Sequence, residues 1–233
     1  MLKTAILLIS FALPVSAAGT SIERIPLNAV NDSTHWQKLT LPSVPPSRFV
    51  PNGEGEVLIE SEGGFALVYH PLEKDKAFSR LRWRWKVDRS GIATDASMKG
   101  SNRPVALHVW FAPPDSASGF WHSLRSGIAS MLGAPPPGQV ISYMWSGLNA
   151  DGENFVNPHL PERGNIVILR GRNSPTGTWL SEEIDIRADF RRLFGTDAPP
   201  PAFVAISADT DDTGATTRAA IADIKFVSNQ MAR

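Results

Sequence analysis

The densest chemistry in the sequence is Asp209-Thr210-Asp211-Asp212-Thr213-Gly214, three carboxylates and two hydroxyls within six residues. Clustered carboxylates repel one another unless a cation or several donors compensate them. Asp209, Asp211 and Thr213 fall at positions 1, 3 and 5 of an EF-type calcium loop, with Gly214 at position 6 for the sharp turn. Position 12 would be Ala220, so the bidentate glutamate is missing, and a calcium site here needs ligands from elsewhere, such as Asp223 or a carbonyl. The same residue types also suit Asx turns and caps at the end of a strand. An apolar strand followed by D-x-D-x-T further matches the nucleophile motif of haloacid-dehalogenase-type phosphatases. That chemistry sits on a doubly wound parallel sheet, and too little chain follows Thr213 to build one. Two readings stay open: a calcium site on Asp209, Asp211 and Thr213, or turn chemistry alone.

A second set of residues suits noncovalent recognition. Seven tryptophans against two tyrosines is an unusual balance, and exposed Trp faces stack on sugar rings while polar neighbours bond the hydroxyls. Trp110 and Trp145 each lie near the end of an apolar run, and Trp110 shares a side with His108. Arg82, Arg84 and Lys86 form a basic row. The row is either an ion-paired outer face or a groove in which the arginine forks grip an acidic ligand. The expected ligand site is therefore Arg82, Arg84, His108, Trp110 and Trp145. Catalytic signatures are absent: the five histidines show no H-x-x-x-H, H-x-H or H-E-x-x-H spacing. Ser146 stands in W-S-G and not in a nucleophile elbow. No catalytic residue is assigned.

These side chains sit on short β-type runs. LRWRWKV (81–87) alternates strictly, with Leu81, Trp83, Trp85 and Val87 on one face and the three basic residues on the other. VALHVWF (105–111) puts Val105, Leu107, Val109 and Phe111 on one side and Ala106, His108 and Trp110 on the opposite one. VISYMW, NIVILRG, AFVAISAD and AAIADIKFV continue the series. Helical spacing appears at Phe120 to Leu132, where Trp121 would dock the helix, and at Ile186 to Phe194. Turns, more than helices, link the strands, which argues against βαβ units. The expectation is a mainly β chain, an antiparallel β-sandwich of jelly-roll, carbohydrate-binding-like type with one or two short helical insertions.

The 233 residues carry 23 basic and 23 acidic side chains, so the zero net charge removes the electrostatic case for a nucleic-acid binder. The absence of cysteine excludes disulfide scaffolds, thiolate metal sites and cysteine nucleophiles. Lys3, the apolar run Ala5 to Val15 and the small residues Ser16, Ala17 and Ala18 form the three parts of an export signal over residues 1–18. Residues 19–233 then form a single domain with no membrane span, periplasmic or secreted.

The order of these elements carries a resemblance. WRWKV, YMW with Ser146, IDIRADFRRLFG, the AISADTDDTG loop and a closing AAIADIKF strand follow one another between Leu81 and Phe226. In that order they resemble the exported bacterial proteins grouped as domain of unknown function 3047. The resemblance implies a jelly-roll, carbohydrate-binding type of sandwich and an exported location, and brings no activity with it. The family pattern has Lys-Gly-Asp-Asp where this chain has Lys99-Gly100-Ser101-Asn102, two acidic charges fewer. The sequence thus points to an exported binder of a cell-envelope glycan. The alternatives are a polysaccharide lyase or hydrolase on the same scaffold, and a structural envelope protein that meets other proteins.

Overall fold

The computed structural model describes residues 20–53, 55–73, 76, 78–112 and 138–229. The export segment 1–18 and the helical insertion expected at 120–132 lie outside the described residues. Among the described residues, thirteen strands and one α-helix follow in order. They are β1 (Thr20–Arg24), β2 (Gln37–Leu39), β3 (Arg48–Pro51), β4 (Glu56–Glu62), β5 (Phe65–Pro71), β6 (Arg80–Arg89) and β7 (Arg103–Phe111). After them come β8 (Val140–Trp145), β9 (Asn154–Val156), β10 (Gly164–Arg170), β11 (Leu180–Asp185), α1 (Ile186–Phe194), β12 (Pro201–Asp209) and β13 (Thr216–Asn229).

The strands build two sheets, a β-sandwich of jelly-roll type. One runs β11-β6-β13-β4-β3, with β1 pairing on β13 beyond the reach of β4; the other runs β2-β5-β12-β7-β8-β10-β9. Pairing is antiparallel except between β8 and β10, which run parallel. A sandwich buries one face of each sheet against the other, so alternating residues must be apolar. β6 obeys this in full: Leu81, Trp83, Trp85 and Val87 are all buried while Arg82 and Arg84 face outward. Across the gap, Val105, Leu107 and Val109 of β7, Ile141, Tyr143 and Trp145 of β8, and Val204 and Ile206 of β12 complete one core with them. Its aromatics meet edge-on or tilted, Trp85 with Trp145 at 5.7 Å and Trp83 with Tyr143 at 5.8 Å between ring centres, separations that favour the quadrupoles of the rings.

Two local devices hold the layers in register. In β13 the pairing with β6 slips between Ala222 and Lys225, and Asp223 sits at φ 57°. Such a bulge inserts one extra residue and shifts the alternation, which is why Ile221 and Ile224, three apart, both enter the core. Asp is one of the residue types that tolerates this left-handed backbone. The helix α1 forms as its spacing predicts. Asp185 caps it by accepting from the N–H groups of Arg187 and Ala188, and Gly195 closes it at φ 74°. Its buried Ile186 and Phe190 plug one end of the sandwich, Phe190 lying 4.6 Å from Phe111.

The seven-stranded sheet has an unusual second face. Phe65, Leu67, Tyr69, Trp110, Val140 and Phe203 form one buried apolar patch on its outer side, and Ala106, Met144, Ile166 and Ile168 belong to another. The polar residues His108, Ser142 and Ser207 are buried on that face between them.

Candidate ligand-binding cavity

Between the two outer patches lies a cavity of about 370 Å³. Leu39, Phe65, Leu67, Val140, Met144, Leu160 and Ile166 make its walls, His108, Ser142 and Trp110 line it, and Arg103, Asn157, His159, Asp209, Asp211 and Asp212 surround its polar end. Volume and lining fall in the range of small-molecule sites, apolar with a few placed polar groups.

Strand register assembles the polar floor. His108 of β7 stands opposite Ser142 of β8 and Ala205 of β12. Its ring nitrogens reach Ser142 Oγ through Nδ1 and Ser207 Oγ through Nε2, each at 2.8 Å. Burial, aided by the nearby Arg103 charge, holds the His108 pKa well below its usual value. The ring is therefore neutral, with one nitrogen donating and the other accepting. Arg103 Nε donates to Ser207 Oγ at 3.0 Å, so the arginine, two serines and histidine form a continuous chain ending at the cavity wall. The chain does not activate Ser142 as a nucleophile. An imidazolium on His108 would be desolvated beside a cation, whereas a serine–histidine catalyst needs a third group that stabilises that charge.

The rim forms where β12 runs into its loop. Arg103 and Asp209 are register partners and pair through Arg103 Nη1 and Asp209 Oδ2 at 3.1 Å. Asn102 Nδ2 donates to Asp209 Oδ1 at 3.2 Å. Burial, with the neighbouring Asp211, outweighs Arg103 and pushes the Asp209 pKa up to about 7. Burial likewise lowers the pKa of His159. Carboxylate oxygens of Asp209, Asp211 and Asp212 all lie within 4.8 Å of one another, an arrangement that could hold a divalent cation. Thr213, expected as a ligand, instead turns its hydroxyl and its N–H to Asn102 Oδ1.

The structure separates the five residues expected to form one ligand site. His108 and Trp110 share the cavity. Trp110 offers no stacking platform, being only 2% exposed, but its indole N–H has no partner among the described residues. Trp145 is a correction: it is 2% exposed between the sheets and its ring packs on Trp85, so no sugar reaches it. Arg82 and Arg84 lie on the outer face of the other sheet, on the far side of the sandwich. They are ion-paired there, Arg82 with Glu183 at 3.0 Å and Arg84 with Asp223 at 2.7 Å, while the Arg84 guanidinium covers the Trp179 ring at 4.6 Å. Sequence reasoning missed Asn102, Arg103, Ser142, Ser207, Asp212 and His159. Ser142 and Ser207 carried a readable signal, since each interrupts an otherwise apolar strand, and buried polar residues are the informative exceptions.

A family model described as "Protein of unknown function (DUF3047)" matches residues 34–225. No curated protein matches the chain. Among solved structures, similar ones include the family 11 carbohydrate-binding module of the cellulosomal cellulase Lic26A-Cel5E of Clostridium thermocellum, at 10% identity and TM-score 0.41, over 91% of this chain and 95% of that one. The xyloglucanase domain of NopAA from Sinorhizobium fredii gives 10% identity and TM-score 0.42 over 91% and 97%. The winged bean acidic lectin gives 10% and 0.42 over 92% and 100%. At these values the likenesses carry no argument about the ligand of this chain.

Proposed function

The chain belongs to the DUF3047 family, whose description leaves function open, and from the site itself we propose that this protein is exported and binds a glycan unit of the cell envelope noncovalently in the cavity at His108 and Trp110. One observation carries the reading: apolar walls enclose a polar floor that is already hydrogen-bonded in place. A sugar ring suits such a site, because its C–H faces meet the aliphatic walls and its oxygens meet the polar groups. Export is supported by the charged, apolar and small-residue parts of residues 1–18.

The test is titration of the mature protein with soluble envelope glycan fragments, followed by amide NMR shifts. Binding is expected to weaken in a folded Trp110→Ala protein, which removes the indole from the cavity lining. It should be lost in a folded Leu160→Trp protein, where a larger side chain occupies the wall. Affinity unchanged in both variants removes the cavity from consideration.

A second reading, hydrolysis of the glycan, has its own support in the Asp209 pKa of about 7 beside the Asp211 carboxylate. A carboxyl group that holds its proton up to neutral pH can serve as a general acid. New reducing ends appearing during the same titration, and disappearing in Asp209→Asn, would turn the binder into an enzyme.

A further inference from the structure

We infer that the outer face of the six-stranded sheet carries a second binding site, independent of the cavity at His108, which takes an acidic sugar chain by the carboxylates of its uronate units. A cleft of about 430 Å³ lies on this face, its charged lining made by Arg82, Arg84, Lys225, Glu183 and Asp223, with Ser181 beside them. Strand register gathers them: Ser181 stands opposite Arg84 and Glu183 opposite Arg82, while Lys225 faces Arg82 from the other flank. Trp179, two residues before Ser181, lies over the same face, its ring covered by the Arg84 guanidinium at 4.6 Å and by Lys86 Nζ at 5.5 Å.

The ion pairs of this face are unequal. Glu183 Oε1 accepts from both Arg80 Nη1 at 2.6 Å and Arg82 Nη2 at 3.0 Å. Asp223 accepts from Arg84 Nε on one oxygen at 2.7 Å and meets Lys225 Nζ with the other at 3.7 Å. Two carboxylates thus serve four cations. Neighbouring acids are engaged elsewhere, Glu182 with Arg170 and the Trp85 indole, and Asp185 with the first N–H groups of α1. The cleft therefore holds a positive excess, which draws an anion. Its cations are within reach, Arg82 being 50% and Arg84 38% exposed. Among the described residues, Arg82 Nε and Nη1 and the terminal nitrogens of Arg84 donate to no acceptor. A guanidinium fork matches a carboxylate through two parallel hydrogen bonds, and the contact with Trp179 holds the Arg84 fork in place beforehand.

The same face favours a sugar chain over an acidic peptide. An extended peptide binds a sheet through free backbone groups at an edge, whereas β6 and β13 are paired on both sides. What the cleft and its border offer is side chains alone: cations, the Ser181 hydroxyl and the partly buried ring of Trp179. Those suit the carboxylates, hydroxyls and C–H surface of a uronate chain.

The experiment is calorimetric titration of the mature protein, in chelator at neutral pH and low salt, with tetragalacturonate, its fully methyl-esterified form and inorganic phosphate. The acid tetramer is expected to bind roughly tenfold more tightly than the ester, the scale of a hydrogen bond to a charged group. Added salt should shrink that preference, because the charges are exposed. The doubly substituted Arg82→Gln, Arg84→Gln protein should lose it. Exposed ion pairs contribute little to stability, so this protein is expected to fold, which its amide NMR spectrum checks. Lys225→Gln, a second variant, should weaken the acid tetramer and leave the ester unchanged. A Leu160→Trp protein, with the cavity wall filled, should bind the acid tetramer as wild type does. Equal affinity for acid and ester, or a preference that survives the arginine substitutions, overturns the inference and leaves the cavity reading untouched. Phosphate binding as tightly as the tetramer overturns the sugar assignment. A preference lost in Leu160→Trp and kept in the arginine variant places the acidic chain in the cavity and overturns the second site.

Discussion

Asp209→Asn changes one atom and tests the electrostatics of the rim. The side chain is 14% exposed, and its carboxyl pKa is raised from 3.8 to about 7, burial being the largest cause. A rise of about three units corresponds to about 4 kcal/mol of differential stability between protonated and ionised forms. The direction follows from where the proton is held. Between the unfolded pKa and the folded one, the native state keeps a proton that the unfolded chain has released, so stability falls as pH rises through this window. The contribution is fully present below about pH 4 and gone above about pH 7, and about 2–3 kcal/mol of it disappears between pH 5 and pH 8. Asparagine keeps one of the two oxygens that Arg103 and Asn102 use separately, and it does not titrate, so the loss of the other acceptor is the same at both pH values. Urea unfolding of both proteins at pH 5 and pH 8 isolates the effect. Wild type should lose about 2–3 kcal/mol more than the variant over that interval. Glu23, whose pKa burial also raises to about 7, gives both proteins a common slope, which cancels in the comparison. Parallel profiles would refute the reasoning, and would mean that Arg103 keeps Asp209 ionised across the whole range.

Two further perturbations address the scaffold. Glu182, 9% exposed, accepts from Trp85 Nε1 at 2.8 Å and from Arg170 Nε at 2.7 Å and Nη2 at 3.0 Å. Glu182→Ala leaves both donors without this partner and should cost about 3 kcal/mol in urea unfolding, with a loss under about 1 kcal/mol counting against the pairing. Trp145→Ala should cost about 3–5 kcal/mol through the cavity it leaves against Trp85, and should leave glycan affinity unchanged in the protein that remains folded. A loss of affinity without a loss of stability would return Trp145 to the ligand site.

Local pattern was legible and distant pairing was not. Strict alternation at Leu81, Trp83, Trp85 and Val87 gave the buried face of β6 directly, because a strand with one face in a core must alternate. The same rule set His108 and Trp110 on the side opposite Val109, which proved to be the cavity side. It failed for Trp145: VISYMW is buried throughout, so periodicity cannot say which face meets the other sheet. The bulge at Asp223 was hidden because a single extra residue leaves composition untouched. Asn102 and Arg103 joined Asp209 only through the pairing of β7 with β12, across more than a hundred residues of sequence. The parallel pairing of β8 with β10 is likewise a property of the crossover and not of either strand. Arg82 and Arg84 were correctly placed on an outward face, but which outward face required the sheet order.

The positions of β12 and β13 bear on the order in which this chain can become a protein. β12 joins β5 to β7, and β13 joins β4 to β6 while also holding β1, so each sheet is closed by a strand that follows every strand it pairs with. During synthesis the earlier strands therefore wait, with neither sheet able to form across its middle. The rim loop with Asp209, Asp211 and Asp212 lies between these two closing strands. The cavity, whose floor and rim need β12 and the loop that follows it, therefore cannot assemble before these have been synthesised.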